Sequence, residues 1–142
     1  MSYKPEITDP SLLKDIVELA KKLTCNLSKA EGYNVSEEKT VTKTSLSNML
    51  KAARLAEEKN NYEIFEISLA YIARDTEYDD ELNMFVRGLI RGLRNIFQKH
   101  LGAHGGLKNL DEVKIKIAKE VLRAVIMIFR GLEADIKIIC KR

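Results

Sequence analysis

Tryptophan is absent from this chain, cysteine and proline occur twice each, and Gln98 is the sole glutamine. Two prolines and seven glycines leave long stretches without a backbone breaker, which favours helices. Two cysteines cannot form the framework of a disulfide scaffold. Cys25 and Cys140 also lack any metal-ligand spacing, so both are expected to be reduced and structural, as in an intracellular protein. Scarce glutamine beside abundant Lys and Glu is a thermophile-like balance, offset by eight asparagines.

Long apolar runs are missing too. The longest is Ala124 to Phe129, stopped by Arg130 and far short of a membrane span. The first ten residues, MSYKPEITDP, lack the basic-then-apolar order of a signal peptide. A cytoplasmic protein with no membrane contact is the expectation. P-loop, GxSxG and HExxH strings do not occur, and no paired carboxylates demand an acid–base reading. No enzyme, metal or cofactor is expected.

What remains is a chain of 142 residues, 45% hydrophobic and 32% charged, the profile of one globular domain over 1–142. The net charge of +3 conceals a division. Residues 1–80 carry 11 Lys/Arg against 15 Asp/Glu, a balance of −4; residues 81–142 carry 13 against 6, a balance of +7. The C-terminal half is thus the one expected to meet an anionic partner.

Apolar periodicity predicts an all-α, single-domain bundle of about five helices with a long C-terminal helix. Asp9-Pro10 is a helix start, followed by Leu12, Ile16, Ala20, Leu23 and Leu27, with Gly32 as the stop. Residues 32–43 show no sustained period and are read as a mobile surface loop. Thr44-Ser45 restarts the chain before Leu46, Met49, Leu50 and Ala53, and Asn60-Asn61 ends that helix. A third helix near Tyr62 to Arg74 has apolar residues so widely spread that a central, covered position is expected. Asp79 or Asp80 caps the fourth, whose core arc runs through Leu82, Phe85, Val86, Leu89, Leu93, Ile96 and Phe97. Glycines 102, 105 and 106 precede a fifth helix from about Asp111 to Cys140, roughly 45 Å long at 1.5 Å per residue. Tyr71, Phe85 and Phe97 fall on core arcs, which argues against their acting as base-stacking platforms.

The clearest constellation is on the fourth helix. Arg87, Arg91 and Arg94, then Gln98, recur at spacings of four, three and four on the side away from the Leu/Phe arc. No acidic residue interrupts 82–110, whereas an ordinary solvated face mixes Glu with Lys to gain i,i+4 pairs. Gly88 and Gly92 flank the stripe one turn apart and predict a ridge of bare backbone for close approach. The fifth helix repeats the theme with Lys116, Lys119, Arg123 and Arg130, and Lys51 and Arg54 add a pair on the second. Such cations hold phosphates by charge and read little sequence. His100 and His104 have i,i+4 spacing but no third ligand.

Three segments resemble the small helical subunit of type III CRISPR effector complexes, the Csm-type small subunit. They are Thr44-Ser45-Leu46 with Lys51; Leu69-Ala70-Tyr71-Ile72-Ala73-Arg74; and Phe129 with Glu133 and Ala134. The resemblance runs from Thr44 onward, and this chain has Leu46-Ser47-Asn48 where the family places a Leu-Arg pair. It implies a non-catalytic protein, stacked in several copies with other subunits, that lies along single-stranded RNA or a guide–target duplex. Lys51, Arg54 and Arg74 are the family-aligned cations. The alternative is a helical protein–protein adaptor or oligomerisation module using the Gly88/Gly92 ridge.

Overall fold

The computed structural model describes residues 9–25, 27, 40–101 and 110–140, with side chains as far as Arg130. Five α-helices account for it: α1 Pro10–Cys25, α2 Lys43–Lys59, α3 Tyr62–Ile72, α4 Glu81–Leu101 and α5 Leu110–Cys140. No strand occurs among the described residues.

Each described start has a local cause. Asp9 Oδ1 accepts from Ser11 N at 3.0 Å, and Pro10 fills the first helical position, where an N–H would find no partner. Thr42 caps α2 in a capping box: its Oγ1 accepts from Ser45 N at 3.1 Å while Ser45 Oγ accepts from Thr42 N at 2.8 Å. The cap therefore lies two residues before the predicted Thr44. Asn60 closes α2 in the left-handed region (φ 49°), a conformation asparagine tolerates, and Asn61 at once caps α3 by accepting from Glu63 N. Asp80 precedes α4, but its carboxylate turns back to Glu77 N at 2.7 Å, and its carbonyl takes Met84 N.

Other boundaries differ from expectation. Helix α1 ends at Cys25, so Leu27 is a buried residue beyond it, its N–H bonded to Thr24 O. Within the predicted 32–43 loop, residues 32–39 lie outside the described residues, as do Gly32 and the glycines at 102–106. Val41, at the loop's far end, is anchored: it is 2% exposed and its N–H donates to Glu81.

The core runs through all five helices, with Ile16, Met49, Phe65, Leu89, Leu93, Val121 and Leu122 fully enclosed. Helix α5 is the covered one, with Ile115, Ile117, Ala118, Val121, Leu122, Val125 and Phe129 inside. The third helix is not: Ile67 is 62% and Tyr71 55% exposed. Its apolar breadth exceeds what its neighbours α2, α4 and α5 can cover.

Helix α1 packs against both α4 and α5. At its N-terminal half Asp15 accepts from Lys99 at 2.9 Å and lies 2.7 Å from His100 Nε2. These contacts hold the Asp15 carboxyl below the usual range, the His100 hydrogen bond first and Lys99 second. At its other end Cys25 is in a disulfide. That overturns the expectation of two reduced thiols and removes the cysteines as an argument for a reducing compartment. Distance along a sequence says nothing about which sulfurs a fold brings together.

Candidate nucleic-acid interface

The arginines of α4 stand on its open side because the opposite arc is filled with leucine and phenylalanine. At about 100° per residue, Arg87, Arg91, Arg94 and Gln98 occupy one sector of roughly 60°. Three different environments result. Arg94 reaches α3 and makes a two-pronged pair with Glu66, Nη2 at 2.6 Å and Nε at 3.1 Å. Glu66 raises the Arg94 pKa and neutralises its charge. Arg87 has its guanidinium 4.0 Å from the Tyr78 ring centroid and donates to the Tyr78 hydroxyl at 2.9 Å. Both partners are neutral, so the full positive charge remains. Arg91 is exposed and has no partner among the described residues.

The glycines flank the stripe as predicted, but the close approach they permit is internal. A Cβ on Gly92 would run into the Leu19 side chain, and one on Gly88 would stand 3.0 Å from Leu23 Cδ2. The protein's own α1 lies in the groove, so the ridge is not open to a partner helix or a strand. Spacing alone cannot distinguish the two, since a glycine opens backbone equally to any neighbour.

On α5 the exposed residues among those described are Glu112, Lys116, Met127 and Arg130, and the half-buried Lys119 and Arg123 lie on the same stripe. Lys116, Arg123 and Arg130, seven residues apart, lie along it. Lys116 and Arg130 are exposed without a partner among the described residues. Lys119 pairs with Glu57 of α2 at 3.1 Å. Arg123 donates at 2.8 Å to Glu120, whose side chain is 1% exposed. The Lys119–Glu57 pair ties α2 to α5, and Lys114 of α5 approaches Tyr62 at the start of α3, 5.8 Å from its ring centroid. Lys51 and Arg54 are both exposed and unpaired among the described residues.

Arg74 is spent locally. Its Nη1 donates to Tyr71 O at 2.9 Å, its guanidinium covers the Tyr71 ring at 3.9 Å, and Asp75 lies 3.6 Å away. Tyr71 is therefore an exposed residue rather than a core one, while Phe85 and Phe97 are buried as predicted. A cavity of about 350 Å³ lies beside Tyr62, Glu66, Arg94 and Lys114, but Glu63 and Asp111 also line it, so it matches no ligand of one sign. His100 is engaged by Asp15, and no cluster of metal ligands occurs among the described residues.

No protein-family model matches the chain, no curated protein is similar to it, and no solved structure matches its fold. No helix of the described residues is long and apolar enough to cross a membrane.

Of the ten predicted cations, Arg94, Lys119 and Arg123 each face a carboxylate, and Arg74 is held by Tyr71 and Asp75. The α4 stripe borders α3 through Arg94–Glu66 and the α3–α4 turn through Arg87–Tyr78, and the α5 stripe borders α2 through Lys119–Glu57. Gly88 and Gly92 of α4 face Leu23 and Leu19 of α1, which also packs against α5. Tyr78 is the residue that sequence reasoning missed. At 73% exposure it is the most open large hydrophobic side chain described. Its place in an acidic turn, DTEYDDE, hid it.

Proposed function

We propose that this chain is a non-catalytic binding protein that holds the sugar–phosphate backbone of RNA by charge. In this reading it is a small subunit of a CRISPR ribonucleoprotein in the cytoplasm, beside other subunits and copies of itself, as its resemblance to the type III small subunit implies. The observation that carries the reading is the charge state of α4: Arg87 and Arg91 keep uncompensated guanidinium groups on a helix face free of acidic residues from 82 to 101. Guanidinium groups with no carboxylate beside them suit phosphate oxygens. Contacts of this kind position a strand without reading its bases, which is what a guide-directed complex asks of a subunit.

Lys51 and Arg54 on α2 and Lys116 and Arg130 on α5 add exposed cations to those of α4. Arg94, Lys119 and Arg123 contribute less to either, because each already faces a carboxylate. The test is direct. Fluorescence anisotropy of a labelled RNA oligonucleotide at several salt concentrations should show affinity falling steeply with salt. The double variant Arg87→Ala/Arg91→Ala should bind more weakly and with a shallower slope. Equal affinity and slope in the folded variant would refute the assignment.

A further inference from the structure

We propose that Tyr78 is a base-stacking platform at the end of the α4 arginine stripe, and that the RNA this face takes is single-stranded. The proposal rests on the backbone-binding reading above and narrows its ligand.

Three observations meet at this residue. The ring is 73% exposed although nothing in the fold requires a large apolar side chain there. One of its faces lies against Arg87, whose guanidinium is 4.0 Å from the centroid and whose Nη2 grips the hydroxyl at 2.9 Å. A ring held by both cation–π attraction and a hydrogen bond is fixed in orientation before any ligand arrives, which lowers the entropy cost of binding. The other face is left to solvent.

The neighbours decide what can lie there. Asp75, Glu77 and Asp79 are exposed around the turn, so a phosphate is repelled at this end of α4. Arg87, against the inner face of the ring, and Arg91, one turn further along α4, attract it. A strand following the stripe therefore keeps its phosphates over α4 and can offer only an uncharged base to Tyr78. Base–aromatic stacking tolerates any base, because every base has a π-face, and it contributes about 1–3 kcal/mol. A base within a duplex has both faces covered and cannot make the contact. Tyr71 is no equivalent. Its guanidinium partner is tied to a backbone carbonyl and to Asp75.

Anisotropy with a labelled single-stranded RNA 12-mer and the matching RNA duplex, at one fixed low salt concentration, tests this. The folded protein should bind the single strand more tightly. In Tyr78→Ala the single-strand-over-duplex ratio should fall about 5- to 150-fold, the range that stacking of one base supplies. Tyr78→Phe, which keeps the ring, should retain the ratio. Arg91→Ala should lower both affinities and leave the ratio intact. A ratio unchanged in Tyr78→Ala, with Arg91→Ala still weakening both ligands, overturns the platform and spares the backbone reading. Binding to neither RNA by the folded protein overturns both.

Discussion

Leu19 of α1 fills the space above Gly92 of α4 so closely that a single added carbon at position 92 would overlap it. Two glycines one turn apart on α4 thus serve the α1–α4 crossing. They let α1 lie close enough to enclose Ile16, Ala20 and Leu23.

The two glycines should differ when replaced. At Gly88 the new methyl meets one Leu23 methyl at 3.0 Å, and the gain in helix propensity of about 1 kcal/mol offsets the crowding. Gly88→Ala should be close to neutral. Gly92→Leu must expel Leu19 and should cost about 1–3 kcal/mol or more. Urea unfolding followed by circular dichroism measures both.

Stability should fall in acid through Asp15. Its carboxyl titrates below the usual value because His100 and Lys99 bond its charged form. A group with a depressed folded pKa stabilises the protein above the unfolded pKa, near 3.8, and that contribution is lost as pH falls through the folded value. Asp15→Asn should therefore lower the unfolding midpoint at pH 7, and the difference from the parent should shrink below about pH 4. A constant difference from pH 7 to pH 3 would contradict the linkage.

Removing Arg91 and removing Arg94 should have unlike effects. Arg91→Ala takes away an uncompensated charge and should reduce the slope of log affinity against log salt by about one. Arg94→Ala leaves Glu66 without its partner, so its main effect is on the α3–α4 contact. RNA titrations paired with thermal melts separate the two.

Tyr62 has a buried hydroxyl with no hydrogen-bond partner among the described atoms, and burial together with the nearby Glu66 charge raises its pKa. Tyr62→Phe removes an unsatisfied donor and keeps the edge-on contact with Phe97, 5.0 Å between centroids. The variant should be as stable as the parent or more stable, by up to about 1 kcal/mol. A loss would show that the hydroxyl has a partner in solution.

Cys25 should be recovered oxidised. Alkylation of the denatured, unreduced protein is expected to leave Cys25 unmodified. Cys25→Ser should then lower the unfolding free energy by about 2–5 kcal/mol.

The sequence by itself determined the helices. Asp9-Pro10, Thr42 with Ser45, and Asn60-Asn61 act on backbone groups within four residues of themselves, and the 3.6-residue period of Leu82 to Phe97 identifies a buried arc without reference to any partner. The same local logic placed the arginines of α4 and the cations of α5 outward. What it could not contain is which neighbour each outward group meets. Glu66 reaches Arg94 across 28 positions, Glu57 reaches Lys119 across 62, and Leu19 covers Gly92 from another helix. Only the tertiary structure decided which cations remain charged toward solvent, that the glycine ridge is filled from within, and that Tyr78 stands open. A side chain's direction follows from the turn of its own helix, but its charge balance and exposure depend on residues brought alongside from elsewhere in the chain.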